Sequence, residues 1–137
     1  MPYLLDTNIC IYLIQRHPPQ VLQRLSALRQ GEAMMSVVTY AELRAGLEMQ
    51  PRNRAHDEKV LALLTQRIPV LPMTEAAAVQ YGILRAAIRD RSRDALDRLI
   101  AAHAIAVDAV LVTNNEDDFR DYPGLRLENW ITTTSAS

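Results

Sequence analysis

The chain has 137 residues, of which 49% are hydrophobic and 23% charged, and this composition fits one globular domain rather than a disordered or fibrous protein. The formal net charge of −1 neither requires nor excludes a nucleic-acid partner. Cys10 is the only cysteine, which excludes an internal disulfide, and the opening MPYLLDTN lacks the features of a secretory signal, so we expect a cytoplasmic protein.

Short apolar runs alternate with segments of helical periodicity along the chain. Strands are predicted at 3 to 6, 33 to 39, 68 to 73 and 109 to 113, with a fifth candidate at 125 to 130. Alternation of this kind is typical of an α/β domain whose parallel sheet, here of four to five strands, is covered by helices on both faces.

Three of the predicted helices have recognisable ends. One helix runs from about position 19 and stops at Gly31, and another begins at Glu75 with Thr74 as its cap. An alanine-rich helix is predicted from about 94 to 107. The apolar stretch 99 to 112 is too short to cross a bilayer, so no membrane segment is expected. We predict a single domain over 1–131 and a mobile tail over 132–137.

Acidic residues follow the predicted strands, where the binding crevice of an open parallel sheet lies. Asp6 closes the first strand, Glu42 follows the second, and Asp97 lies in the first turn of the alanine-rich helix. Three acids at 116 to 118 follow the strand that ends at Thr113.

Helix capping is a competing interpretation for most of these acids. Thr39 with Glu42, and Thr113 with Glu116, match the capping box, and a carboxylate at position 97 is favoured by the helix dipole. For Asp6 the alternative is an Asx turn that starts the next helix. Taken one at a time, the acids therefore leave both interpretations open.

Taken together, the acids favour a metal site. Converging carboxylates raise one another's pKa, so a cluster that stays ionised near neutral pH needs a cation between its members. Oxygen-only ligands suit Mg²⁺ or Mn²⁺, and no zinc-like spacing of cysteine or histidine is present.

Four blocks of sequence carry a family resemblance. LLDTNICIYLI, VTYAELRAG, DRLIAAHA, and LVTNNEDDF followed by PGLRLENW together resemble the PIN-domain ribonucleases, specifically the VapC-type toxins of bacterial toxin-antitoxin pairs. The resemblance implies a three-layer α/β/α PIN-like domain. It also implies that Asp6, Glu42 and Asp97 are catalytic, metal-binding acids. Asp118, directly before Phe119, is the fourth candidate, because Asn115 stands where many relatives carry an aspartate.

Polar neighbours of these acids are expected to orient the carboxylates or metal-bound water. Where many relatives have a glycine-containing turn before the third acid, this chain reads DRSRDALD, which makes Asp94 a candidate outer-shell residue. The full set of such neighbours is Thr7, Asn8, Asp94, Thr113, Asn114 and Asn115.

Arginines near the acids are candidates for gripping the RNA backbone. They are Arg44, two residues after Glu42, and the series Arg85, Arg89, Arg91 and Arg93 that precedes Asp97. A solvated helix end is an equally good interpretation of that series, since cations are favourable near a helix carboxyl terminus.

Together with the predicted metal site, the resemblance implies a Mg²⁺- or Mn²⁺-dependent endoribonuclease that hydrolyses RNA by metal-activated water. The resemblance further implies a VapB-type antitoxin partner and a homodimer. The alternative is a non-catalytic PIN-like binding module that acts through protein assembly. His103 lies six residues from Asp97 and off its helical face, so we interpret it as a structural, hydrogen-bonding histidine.

Overall fold

A computed structural model describes residues 2–89 and 94–131 of the chain. Within these ranges no helix combines the length and apolar character needed to cross a membrane. Arg91, Arg93 and the predicted tail over 132–137 lie outside the described residues.

A parallel sheet of five short strands forms the centre of the molecule, in the order β3-β2-β1-β4-β5. The strands are β1 Tyr3–Leu5, β2 Ala33–Ser36, β3 Val70–Leu71, β4 Val110–Val112 and β5 Leu127–Glu128. The helices are α1 Thr7–Gln15, α2 Pro19–Ser26, α3 Val37–Glu48, α4 Arg54–Arg67, α5 Glu75–Ala87 and α6 Ala95–Ala106, with 3₁₀ helices at Pro51–Asn53 and Glu116–Asp118.

The sheet is covered on both faces because successive side chains of a strand point to opposite sides. Leu4 packs with α5 and α6, whereas Leu5 packs with α1 to α4, and both are fully buried. Leu111 and Val112 divide between the same two cores in β4. Small alanines on α6 allow this helix to approach the sheet closely, as its composition predicted.

The strand order reverses at β1, which lies between β2 and β4. After β1 the chain builds β2 and β3 on one side, and it then returns to add β4 and β5 on the other. In open parallel sheets, a crevice forms beyond the carboxyl ends of the strands at such a switch point. Asp6 and Thr113 directly follow β1 and β4 at this edge of the sheet.

Some boundaries differ from the prediction. The apolar run 33 to 39 is not one strand, because the hydroxyl of Ser36 accepts a hydrogen bond from the Val38 amide and starts α3 there. Helix α2 ends at Ser26, ahead of Gly31, which instead adopts a positive φ in the following turn. Thr74 caps α5 as predicted.

Candidate active site

An acidic cleft opens at the switch point of the sheet. It is built by the ends of β1 and β4, the start of α6, the middle of α3 and the 3₁₀ helix after β4. Its lining residues are Asp6, Thr7, Asn8, Glu42, Asp94, Asp97, Asn115 and Asp118.

Asp6 is buried and belongs both to the start of α1 and to the cleft. Its Oδ1 accepts a hydrogen bond from the Ile9 amide at 2.9 Å, which caps the helix. Burial raises the pKa of Asp6 to about 6, while hydrogen bonds from Thr113 and from the Ile9 amide hold it lower than burial alone would. Asp6 therefore caps α1 and lines the cleft at the same time.

Glu42 lies within α3, and the capping box predicted for it is wrong because Ser36, not Thr39, caps this helix. Its Oε1 accepts a hydrogen bond from the Thr7 hydroxyl. The Thr39 hydroxyl lies 3.3 Å from the same Thr7 oxygen and is buried. The Thr7 hydroxyl thus orients the Glu42 carboxylate, and Thr39 contacts Thr7 rather than the carboxylate.

Asp97 occupies the third position of α6, and Asp94 caps this helix by accepting from the Leu96 amide at 2.8 Å. Burial raises the pKa of Asp97 most, and the negative charges of Asp94, Asp118, Asp6 and Glu42 add to this effect in that order, so that the pKa reaches about 7. This mutual repulsion is the electrostatic sign of converging carboxylates.

The segment after β4 separates acids that look equivalent in the sequence. Thr113 does not form the predicted capping box with Glu116: its hydroxyl accepts from the Asn115 amide at 2.9 Å, and the Glu116 side chain accepts from Asn129 at 3.1 Å. Asp117 is 88% exposed and pairs with Arg120 at 3.0 Å. Of the three acids only Asp118 lines the cleft.

Asn129 was not identified from the sequence. Besides Glu116, its amide donates to the Asn114 side chain at 3.3 Å, so it ties the last strand to the Thr-Asn-Asn turn. Asn114 itself, predicted to surround the acids, is not among the cleft lining. No sequence pattern marks Asn129, because its contacts depend on the pairing of β5 with β4.

The donor chemistry of the cleft fits a hard divalent cation, since its acids offer oxygen and, among the residues that the structure describes, no cysteine or histidine lines it. In residues 2–89 and 94–131, no three acidic, histidine or cysteine side chains already surround one point as metal ligands do. Carboxylates that repel one another are expected to stand apart without a cation.

The arginine candidates lie outside the cleft, as far as the described residues show. Arg44 pairs with Glu58 and, at 3.8 Å, with Glu48, and it stacks on Tyr40. Arg85 lies in the last turn of α5, and Arg89 donates to the Ala86 carbonyl at 3.3 Å. Their contact with RNA stays a prediction.

His103 is fully buried in the core and hydrogen-bonded to Ser36, as a structural histidine should be. It does not line the cleft, which agrees with the rejection of a catalytic role.

Comparison with known proteins gives consistent matches over almost the whole chain. The PIN domain family model matches residues 3–125. The chain is 35% identical over 133 residues to Ribonuclease VapC2 of Rickettsia felis, covering 95% of this chain and 98% of that protein. It is 38% identical over 135 residues to the tRNA(fMet)-specific endonuclease VapC of Shigella flexneri, with 95% and 98% covered.

A solved structure matches the fold. The crystal structure of VapBC2 from Rickettsia felis bound to a DNA fragment from their promoter superposes with a TM-score of 0.87 at 34% identity, covering 95% of this chain and 99% of that chain. This agreement confirms the predicted PIN-like α/β/α architecture.

Proposed function

We propose that this chain, which belongs to the PIN-domain family and to its VapC ribonucleases, is the endoribonuclease toxin of a toxin-antitoxin pair. The family is one of nucleases that generally depend on a divalent metal ion. The observation that carries the proposal is the convergence of carboxylates from four separate elements on one cleft.

Asp6, Glu42 and Asp97 are the metal-binding acids of the proposed site, and Asp118 completes it. Mg²⁺, or Mn²⁺ in its place, is the expected ion because the donors are all oxygen. When bound, such an ion lowers the pKa of a water and stabilises the charge that develops during phosphodiester hydrolysis.

The protein's own groups orient these acids. The Ile9 amide and the Thr113 hydroxyl hold the Asp6 carboxylate, and the Thr7 hydroxyl holds that of Glu42. Because Glu42 is already engaged by Thr7, we assign Asp97 as the group that accepts the proton of the attacking water. Asn115, in the cleft where many relatives carry an aspartate, contributes an amide rather than a charge.

RNA is the proposed substrate, approaching the cleft through phosphate contacts with arginines. Arg85 and Arg89 lie at the end of α5, ahead of the segment that leads to Asp97, and Arg44 lies two residues beyond Glu42. Arg91 and Arg93 belong to the same proposal on sequence grounds.

A VapB-type antitoxin and a second copy of the chain are the proposed partners, and the cytoplasm is the proposed location. The name of the Rickettsia felis structure, VapBC2, describes a toxin-antitoxin complex and supports the first of these. Light scattering of the purified chain tests the homodimer, and a monomer would contradict it.

The decisive experiment uses the chain purified free of antitoxin and incubated with total RNA in Mg²⁺, Mn²⁺ or EDTA. We expect cleavage with either metal and none in EDTA. Asp6→Ala should be inactive, whereas Asp117→Ala, which removes an exposed acid outside the cleft, should cleave like wild type. Metal-independent cleavage, or an active Asp6→Ala, would refute the assignment, and no cleavage by wild type would favour a non-catalytic binding module.

A further inference from the structure

A buried polar pair lies beneath the proposed site and takes no part in the chemistry described so far. Ser36 and His103 are both fully buried, 67 residues apart in sequence, with His103 Nδ1 2.7 Å from Ser36 Oγ. A hydrogen bond of this length between groups removed from water is a strong local constraint, because either partner left alone would be a buried, unsatisfied polar group.

Ser36 also caps α3, because its oxygen accepts the Val38 amide hydrogen at 3.1 Å. The hydroxyl retains its hydrogen and a second lone pair, so the contact with His103 Nδ1 can form with either tautomer of the ring. The Pro72 carbonyl is the backbone acceptor that this ring meets, at a geometry looser than a full hydrogen bond.

The pair connects the two helices that carry two of the proposed metal ligands. Ser36 stands six residues before Glu42 at the start of α3, and His103 stands six residues after Asp97 on α6. Six helical residues span about 9 Å. The Ser36–His103 hydrogen bond therefore joins α3 and α6 inside the core. Glu42 and Asp97 lie further along the same two helices and line one cleft.

We propose that Ser36 and His103 form a positioning pair that sets the separation of the Glu42 and Asp97 carboxylates and thereby the affinity of the cleft for its divalent ion. The inference rests on the proposed metal-dependent function. Neither residue lines the cleft or touches RNA; each acts through the helix to which it belongs. Residues that act on a site without touching it change its coupling by about 0.5–2 kcal/mol, which corresponds to about 2–30-fold in affinity.

The test measures Mn²⁺ binding to the full chain by the electron paramagnetic resonance signal of the free ion. Ser36→Ala and His103→Leu should weaken binding by about 2–30-fold. His103→Asn, whose amide can take the place of Nδ1, should stay within about twofold of wild type. Ser36→Ala combined with His103→Leu should bind Mn²⁺ as Ser36→Ala alone does, because the Ser36–His103 hydrogen bond is already absent from the single variant and the lost Val38 cap is common to both proteins.

Thr74→Ala is the matched control, since Thr74 caps α5 through its hydroxyl and lies outside the cleft lining. It should lower thermal stability as the loss of any cap does, yet leave Mn²⁺ binding unchanged. At a temperature where circular dichroism shows Ser36→Ala to be fully folded without metal, its RNA cleavage should recover towards the wild-type rate as Mn²⁺ is raised.

The experiment distinguishes failure of this inference from failure of the proposed function. If wild type binds Mn²⁺ and Ser36→Ala binds it within about twofold while losing stability like Thr74→Ala, the pair is only structural and the inference is wrong. If wild type neither binds Mn²⁺ nor cleaves RNA, the proposed function is wrong and the inference goes with it. Should His103→Leu not fold, His103→Met, which also removes both ring nitrogens, takes its place.

Discussion

Asp6 shows how one side chain can serve both the fold and the site. Its carboxylate caps α1 through the Ile9 amide and lines the acidic cleft, and it is only 4% exposed. Burial raises the pKa of this carboxyl to about 6. Keeping it ionised in the folded state therefore lowers the free energy of unfolding. A residue that was needed only as a cap would not have to carry a charge.

Replacing this charge by an amide separates the two roles. Asparagine caps helices about as well as aspartate, so Asp6→Asn should keep α1 intact and remain about 1 kcal/mol more stable than Asp6→Ala. In EDTA at pH 8, Asp6→Asn should also exceed wild type in stability, by on the order of 1–3 kcal/mol, because no buried charge remains.

Both variants should lose metal-dependent RNA cleavage. Urea denaturation and an RNA cleavage assay check the two halves of this prediction. An Asp6→Asn protein that cleaves like wild type would remove Asp6 from the proposed metal ligands, and one less stable than wild type in EDTA would show that the amide fails as a cap.

At the scale of elements, periodicity and composition predicted the strands, α5 and α6, but not the joints between them. The run 33 to 39 is apolar throughout, so nothing local indicated that Ser36 would end β2 and cap α3. That choice is favoured by the long-range hydrogen bond to His103. Glu116 likewise matches a capping box, yet it bonds to Asn129 from another strand.

Asp6, Glu42 and Asp97 line one cleft despite these boundary errors, for a physical reason. They were singled out by their position after strands or in a first helical turn, and this position is insensitive to a shift of two or three residues at a helix start. Asp118 was chosen by the family resemblance, which places an acid directly before the phenylalanine. The contacts of Thr39 and Asn129 depend on which elements pack together, and a local pattern carries no information about that.

Arg44 offers a prediction about α3 and α4. These helices are joined by a network in which Arg44 and Arg54 share Glu48 and Glu58. If Arg44 grips RNA phosphate as predicted, Arg44→Gln should weaken RNA binding and reduce its salt dependence by about one counterion. Arg54→Gln disturbs the same network from the exposed side and is the matched control.

Binding should be measured by fluorescence anisotropy in the Asp6→Asn background, so that the RNA stays intact. Glu58→Gln adds a test of opposite sign, since it frees Arg44 from its shortest ion pair and should preserve or strengthen binding. Equal losses from Arg44→Gln and Arg54→Gln would mean that the network only supports the fold, where exposed pairs contribute about 0–1 kcal/mol.

At the scale of the whole molecule, the sheet topology creates the electrostatic problem that a metal ion would solve. A chain with a net charge of only −1 gathers acids from near positions 6, 42, 97 and 118 at the edge where its strand order reverses. Their repulsion is visible in Asp97, whose pKa rises to about 7 through burial and through its acidic neighbours. Without a metal ion, the repulsion among these acids thus lowers the stability of the fold.

The metal-free chain should consequently lose stability as the pH rises. The carboxyls of Asp6 and Asp97 have folded-state pKa values of about 6 and about 7, above their ordinary value of 3.8. Between about pH 4 and 7 the folded state therefore holds more protons than the unfolded one, and the free energy of unfolding falls across that window. Burial lowers the pKa of His103 and acts in the opposite sense.

Comparison with Asp97→Asn isolates the carboxylate contribution, because His103 is common to both proteins. In EDTA, we expect the stability of wild type relative to this variant to decline from pH 5 to pH 8. Mn²⁺ at about 100 times its Kd should return about 2.7 kcal/mol to wild type at pH 8 and much less at pH 5, where protons compete for the same oxygens. Urea unfolding at both pH values measures these free energies. A difference between wild type and Asp97→Asn that does not change with pH would contradict the raised pKa of Asp97. Equal stabilisation of the two proteins by Mn²⁺ would contradict the placement of Asp97 among the metal ligands.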